Sequence, residues 1–176
     1  MLWIILIVLV VVIARLVIIV SVQSSEFTVS RSTSIAAPAT SVFPLVNDLH
    51  QWEHWSPWAK MDPNMQQSYE GAPAGVGAIY NWTGKKTGAG RMTIRESRPN
   101  QLVKIQLDFL KPFRATNTAE FTFQPDGNQT AVTWSMYGKK NFIAKAMHLV
   151  VSMDTIVGGQ FAEGLAQIKS LAEANS

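Results

Sequence analysis

The chain of 176 residues contains no cysteine. Disulfides, thiolate metal sites and cysteine nucleophiles are therefore excluded. Charged residues are also scarce, at 15% of the chain, and the formal net charge is only +3. Nucleic-acid binding requires a denser basic face than this composition supplies, so no nucleic-acid partner is expected. Because the absence of cysteine suits either side of a membrane, it does not reveal the compartment.

The only basic doublets among the 15 lysines and arginines are Lys85-Lys86 and Lys139-Lys140. Both doublets stand beside turn or strand-end signals, which predicts solvated charge in surface loops. The alternative is contact with anionic lipid headgroups, which attract lysines that lie close to a bilayer.

One long apolar run stands at the N-terminus. Residues 2–20 are apolar at every position except Arg15, and no similar run occurs again. At about 1.5 Å per residue this segment matches the roughly 30 Å hydrocarbon core of a bilayer. The side chain of Arg15 can reach the polar end of the segment at Ser21. We therefore predict a single-pass membrane protein with an anchor over residues 1–22, which contacts the bilayer through residues 2–22.

A cleavable signal peptide is the alternative interpretation of this run. Signal peptides carry basic residues before a shorter apolar stretch, whereas here Leu2 follows Met1 directly. Val22-Gln23-Ser24 resembles a weak cleavage site. The positive-inside rule compares basic residues on the two sides of a membrane helix, and here Arg31 is the only one close to either end. The sequence therefore does not decide on which side of the membrane the remaining chain lies.

The chain after the anchor shows the alternation of β-strands. Residues 23–25 form a short polar tether, and residues 26–176 are long enough for one domain with its own core. Alternation predicts a first strand over 27–35, and Thr40 or Ser41 can cap a short helix that follows it. Further strands are expected over 68–71, 78–83, 91–97, 102–110, around 121–123, and over 132–136. Apolar and polar residues alternate along these strands, so one face of the sheet is apolar and the other faces solvent. This pattern is typical of an antiparallel sheet.

The C-terminal region changes to a helical period. Phe161, Leu165, Ile168 and Leu171 are spaced for one apolar helix face, and residues 142–157 also have a helical pattern. We expect the pair Gly158-Gly159 to kink or divide this region. The predicted fold class is α+β, with a curved antiparallel sheet of about seven strands around a long C-terminal helix. A single helix is too narrow to cover the whole apolar face of such a sheet. We therefore expect a cavity between the sheet and the helix.

Particular segments strengthen this prediction. They are IAAPATSVFPLVNDL at 35–49, WSPW at 55–58, YEGAPAGVGAIYNW at 69–82, the KPF turn at 111–113 and FAEGLAQIKSLAE at 161–173. In this order and spacing the chain resembles the START-like (SRPBCC) superfamily, in its polyketide cyclase/dehydrase-like branch. The resemblance covers residues 26–174. It implies a helix-grip fold and a cavity for a lipid or another hydrophobic molecule, and it supplies no catalytic set.

Large apolar side chains on the predicted inner faces are the candidate ligand-binding residues: Tyr80, Trp82, Met92, Phe109, Phe121, Trp134, Met136, Met147, Met153 and Phe161. Apolar pockets usually contain a few polar groups, for which Tyr80, Asn81 and Tyr137 are candidates. The tryptophans at 52, 55 and 58 are expected at the cavity mouth or at the edge of the sheet.

Catalytic candidates are few. Asp154 lies in an apolar helical segment, where a carboxylate that faced a cavity would have a raised pKa and could act as an acid or base. Tyr80 is the second candidate. His50, Glu53 and His54 match the H-x-x-E-H zinc pattern, but Pro57 soon interrupts the segment and a third histidine ligand would have to be His148. We expect no metal and no cofactor.

Three functions remain in view at this point. The first is a membrane-anchored, non-enzymatic START-like domain that binds a hydrophobic small molecule or lipid. The second is an enzyme of the cyclase or dehydratase type that acts in the same cavity. The third is a module that binds a protein partner through its tryptophan-rich segment.

Overall fold

The computed structural model describes residues 2–174, and Met1, Asn175 and Ser176 lie outside the described part. Its strands are β1 (Glu26–Ile35), β2 (Gln66–Gly71), β3 (Ala78–Gly84), β4 (Gly88–Arg98), β5 (Leu102–Lys111), β6 (Ala115–Asp126) and β7 (Gln129–Lys139). Its helices are α1 (Leu2–Val22), α2 (Ala39–Asn47), α3 (Trp52–Trp55), α4 (Pro57–Met61), α5 (Phe142–His148) and α6 (Met153–Ala174). A short 3-10 turn, Leu49–Gln51, precedes α3.

The seven strands form one antiparallel sheet in the order β1-β7-β6-β5-β4-β3-β2. Inward positions alternate along each strand, as in β6, where Ala119, Phe121 and Phe123 are buried. In the register of β6 and β7, Phe121 lies opposite Trp134. This open sheet with a C-terminal helix confirms the predicted helix-grip fold.

Helix α6 packs its apolar stripe onto the sheet. Phe161, Leu165 and Ile168 are buried at the spacing of one helix face. Gly164 lies between them at the closest approach, because a Cβ at this position would stand 2.8 Å from the ring of Trp134. The glycine therefore allows the helix axis to come close to the sheet.

The helical region after β7 divides at a different place from the one expected. Helix α5 ends at His148, and α6 then runs without a break through Gly158-Gly159. Ser152 begins the second helix by accepting a hydrogen bond from the backbone N–H of Thr155 at 3.1 Å. A Cβ at Gly158 would occupy the space of the Arg31 guanidinium, so this glycine gives the arginine room beside α6. The prediction of a division at the glycine pair was wrong, because α6 continues through both glycines and the division falls where Ser152 caps the second helix.

Helix α1 is the one helix within residues 2–174 that is long and apolar enough to cross a membrane. Nearly all of its side chains are exposed, while Val20 near its end is buried. Its last turn lies beside α5, where the Lys145 ammonium donates to the carbonyl of Ser21 at 3.4 Å. A cleavable signal sequence meets the same criteria of length and composition.

Two glycines of α6 offer a matched test of its packing. We expect Gly164→Ala to destabilise the fold by about 1–2 kcal/mol, because crowding against Trp134 outweighs the helix propensity gained. Gly159→Ala should stabilise it by roughly 0.5–1 kcal/mol, since a Cβ there meets no atom within 4 Å. Urea unfolding of the full chain in detergent, followed by tryptophan fluorescence, measures both. Equal stability of the two variants would contradict the close approach.

Candidate ligand-binding cavity

A cavity of ≈ 370 Å³ lies between the inner face of the sheet and the helices α3, α4 and α6. This volume falls in the lower part of the range of roughly 300–1,000 Å³ for small-molecule sites. Its wall is formed mainly by aromatic and aliphatic side chains: Trp52, Trp58, Ala59, Met65, Tyr80, Trp82, Met92, Leu107, Phe109, Ala119, Trp134, Met136, Met153, Ile156, Val157 and Phe161. The polar lining residues are Glu53, Ser56, Gln67 and Thr87.

Trp134 forms the centre of the wall nearest α6. Its ring stacks between Phe121, at a centroid distance of 4.7 Å, and Phe161, at 4.1 Å with the planes only 8° apart. Trp55 meets the same ring edge to face at 5.6 Å. Aromatic pairs of this kind each contribute about 0.5–1.5 kcal/mol beyond their burial. These ring contacts join helix and sheet where the two meet.

A second row of aromatic rings lines the opposite part of the sheet. Tyr80 lies beside Tyr69 at 5.3 Å and stacks on Trp82 at 6.0 Å, and Trp82 meets Phe109 edge to face at 6.0 Å. Gly90 on the next strand makes room for this row, because a Cβ there would collide with the ring of Trp82. The row gives the cavity a flat apolar side.

The buried indole nitrogens differ in their hydrogen bonding. Those of Trp52, Trp55 and Trp82 donate to the carbonyls of Val46, Leu45 and Thr87 at 3.0, 2.8 and 3.2 Å. The indole nitrogen of Trp134 has no hydrogen-bond partner among residues 2–174. A buried donor without a partner costs about 1–3 kcal/mol. This indole nitrogen is enclosed by protein atoms and is the indole donor left without a partner within the described part of the chain.

Tyr80 supplies the phenolic group of the cavity. The side chain is largely buried, and burial raises its pKa above the ordinary value for tyrosine. The phenol is therefore neutral at physiological pH and is suited to donating a hydrogen bond. The other two polar candidates lie on the outer face of the sheet, where Asn81 donates to Glu70 at 2.8 Å and Tyr137 donates to Glu120 at 3.2 Å.

Asp154 lies outside the cavity, at the beginning of α6. Its two carboxylate oxygens accept hydrogen bonds from the guanidinium of Arg31 on β1, at 2.7 and 2.9 Å. This hydrogen bonding lowers the pKa of Asp154, whereas the hypothesis of an acid or base in the cavity required a raised pKa. Asp154 therefore fastens the start of α6 to the sheet.

The histidine pattern is divided between two short elements. His50 belongs to the 3-10 turn, where Nδ1 lies 2.8 Å from Asp48 and the ring stacks on Tyr69 at 4.0 Å. His54 belongs to α3 and lies 3.8 Å from its neighbour Glu53. The side chain of His148 lies outside the described part of the chain.

The structure brings most of the sequence-predicted ligand residues around one cavity. The residues that line it are Tyr80, Trp82, Met92, Phe109, Trp134, Met136, Met153 and Phe161. Phe121 lies behind Trp134 as part of its stack. Met147 belongs to α5 and is exposed, so it does not line the cavity.

Sequence patterns did not indicate several of the lining residues. Trp52 and Trp58 line the cavity, and Trp55 is buried beneath it, rather than all three lying at the mouth or at the edge of the sheet. The density of tryptophan at 52–58 was the available signal for them. Met65 lies in a loop without periodicity, so no sequence pattern could have identified it.

A curved antiparallel sheet that grips a C-terminal helix around an apolar cavity defines a helix-grip ligand-binding domain. The family model described as "Polyketide cyclase / dehydrase and lipid transport" matches residues 26–173. The chain therefore belongs to this family, of the SRPBCC type, which confirms the resemblance seen in its sequence.

Solved structures share the fold at low sequence identity. Protein Ms6760 from Mycobacterium smegmatis is 21% identical, with a TM-score of 0.59 over 85% of this chain and 92% of that one. Protein MLL2253 from Mesorhizobium loti is 15% identical, with a TM-score of 0.61 over 85% and 99%. DynU16, from the dynemicin biosynthetic locus, is 13% identical, with a TM-score of 0.59 over 88% and 49%. No curated protein matches the sequence significantly.

A buried carboxylate supports one end of the cavity. Asp62 accepts a hydrogen bond from the backbone N–H of Lys86 at 2.9 Å, and this contact lowers its pKa below the ordinary 3.8. Gly84 leaves room for this carboxylate, since a Cβ there would collide with it unless the side chain moved. The turn held in this way contains Thr87, whose hydroxyl contacts Met65 and whose carbonyl receives the indole N–H of Trp82.

The lowered pKa of Asp62 predicts an acid-dependent contribution to stability. A carboxylate with a depressed folded-state pKa stabilises the protein above its unfolded-state pKa, and this contribution is lost as the pH falls through the lower folded-state value. Asp62→Asn should therefore lower the unfolding temperature at pH 7, and the difference from wild type should shrink towards pH 3. Thermal unfolding across this range measures it, with Asp126→Asn on an exposed hairpin as the control. A pH-independent difference would contradict the role of the charge.

Proposed function

We propose that the protein is a membrane-anchored SRPBCC domain that binds a hydrophobic small molecule or a lipid chain in the cavity. The observation that carries this proposal is the apolar space of ≈ 370 Å³ enclosed by aromatic rings and four methionines. Methionine side chains adapt to irregular apolar shapes, which suits a flexible ligand such as an acyl chain. A volume in the lower part of the usual range favours a single chain or a small ring system over a whole diacyl lipid.

The polar groups of the cavity suggest how such a ligand would be oriented. Glu53, Gln67 and Ile156 are exposed lining residues and mark where the cavity reaches the surface. A polar end of the ligand would remain near Glu53 and Gln67, while the apolar end enters among the rings. The neutral phenol of Tyr80 offers a hydrogen bond along this path.

The chemistry of the lining favours holding a ligand over converting one. Among the described lining residues the ionisable groups are one exposed carboxylate, Glu53, and the phenol of Tyr80. General acid–base catalysis uses groups whose pKa lies near the working pH, and burial moves the pKa of Tyr80 away from it. The tryptophan-rich segment packs Trp52 and Trp55 into the core, which leaves little of it for a protein partner.

Helix α1 supports the membrane part of the proposal. Its 21 residues span about 30 Å, and its exposed apolar side chains require an environment other than water. The polar tether is only three residues long, so the cavity would remain close to the bilayer from which an apolar ligand is drawn.

Photocrosslinking tests the cavity in the full chain. In proteoliposomes that contain a diazirine-labelled fatty acid, we expect crosslinks on peptides with Met92 and Met136 as well as on α1. Ala119→Leu, which fills the cavity, should reduce the cavity crosslinks several-fold and leave those on α1 unchanged. Ala166→Leu, on the exposed side of α6, is the control and should change neither. Crosslinks confined to α1 in the wild-type protein would contradict the proposal.

Retention of α1 tests the anchor separately. After alkaline carbonate washing of membranes from expressing cells, we expect the chain to stay in the pellet, because about 20 apolar residues hold it in the bilayer. Mass spectrometry of that chain should detect the peptide that precedes Arg15. A released chain that begins after Val22 would instead establish a cleaved signal peptide.

A further inference from the structure

Exposed apolar side chains occur at a second place besides α1. They lie on α5 and on the turn that leads into α6, and they include Phe142, Ile143, Met147 and Val150. Val150 is the most exposed of them, at 86%. Soluble proteins rarely expose a contiguous apolar patch of this kind unless it binds another surface. We call residues 142–156 the apolar segment.

The apolar segment lies next to the end of α1. Its helix α5 contacts the last turn of α1, and the Lys145 ammonium donates to the carbonyl of Ser21. The backbone N–H of Lys140 also donates to the carbonyl of Ser25 in the tether, at 2.6 Å. If α1 crosses a bilayer, these contacts place the apolar segment where the chain leaves it.

Strand pairing brings other parts of the chain to the same rim of the sheet. Glu26 at the start of β1 pairs with Lys139, Phe109 pairs with Ala115, and Gly84 pairs with Gly88. The turns β3–β4 and β5–β6 therefore lie on the rim at which β1 begins. We call it the anchor rim, and the opposite one, with the turns β2–β3, β4–β5 and β6–β7, the far rim.

Positive charge is concentrated on the anchor rim. Its turns contain Lys85, Lys86, Lys111 and Arg114, and three further lysines lie within residues 139–145. The segments 84–88, 111–114 and 139–145 contain no aspartate or glutamate. Glu26 opposite Lys139 and Asp62 beside Lys86 add two carboxylates at this rim, against seven basic residues. The far-rim turns, residues 71–78, 98–102 and 126–129, contain one arginine and one aspartate. A one-sided basic rim beside an apolar helix fits an anionic lipid surface.

We propose that the anchor rim docks on the bilayer, with the apolar segment inserted at the boundary between headgroups and acyl chains and the basic turns on anionic headgroups. This inference rests on the proposed membrane anchor. Its consequence concerns the route of the ligand. Met153, Ile156 and Val157 belong to or directly follow the apolar segment and also line the cavity. An apolar ligand can then pass from the bilayer into the cavity without crossing water.

The absence of cysteine makes a direct test possible in the full chain. Single cysteines at Val150, Ile143, Val76 and Val10 are labelled with the environment-sensitive dye NBD and reconstituted in phosphatidylcholine–phosphatidylglycerol vesicles. Val76 is the matched control, an exposed valine in the β2–β3 turn of the far rim. We expect blue-shifted emission and strong quenching by nitroxide-labelled lipids at positions 150 and 143. Position 76 should show neither, and position 10 reports the anchor.

Each outcome of this experiment decides between the two proposals. A quenched label at 10 with an unquenched label at 150 would overturn docking and leave the anchor standing. An unquenched label at 10 would overturn both. A blue shift at 150 without quenching by lipid would indicate a protein surface, such as a second copy of the chain, and would also overturn docking. In vesicles of phosphatidylcholine alone we expect weaker quenching at 150; equal quenching would overturn the role of the basic turns.

Discussion

The stack of Trp134 between Phe121 and Phe161 determines where the C-terminal helix lies on the sheet. Gly164 permits this contact, because any side chain there would push the helix away from the ring. Before the stack, the first turns of α6 contact β1 through Asp154 and Arg31, while Met153, Ile156 and Val157 line the cavity. The sheet presents more apolar surface than one helix can cover, and the cavity is the uncovered part of that surface.

The antiparallel connection of the strands has a second consequence. In such a sheet every other turn returns to the same rim, so the turns β3–β4 and β5–β6 meet the beginning of β1 and the end of β7. The end of the apolar helix α1 and the exposed helix α5 lie at this rim. The turns β3–β4 and β5–β6, which carry lysines and an arginine, lie there as well. The binding cavity and the surface that we propose docks on lipid are therefore parts of one arrangement, joined through the beginning of α6.

Local patterns predicted most of the fold and part of the site. Alternation in β5 to β7 and the helical spacing of Phe161 and Leu165 are strong signals, because one face of each element is buried. Patterns failed where distant contacts decide the outcome. The Arg31 guanidinium on β1 lies beside Gly158, Asp154 is paired with the same arginine, and Met147 is exposed on α5. No local spacing reveals such partners.

The sequence by itself determined the apolar N-terminal segment and the α+β class, because these depend on composition and on periodicities along the chain, and the resemblance of particular segments indicated the family. It also excluded every function that requires cysteine. Only the tertiary structure decided which rings enclose the cavity, which indole lacks a partner and which loops share a rim with α1. These properties arise from residues far apart in the chain that the curvature and register of the sheet bring together, and burial at such contacts depends on the whole fold.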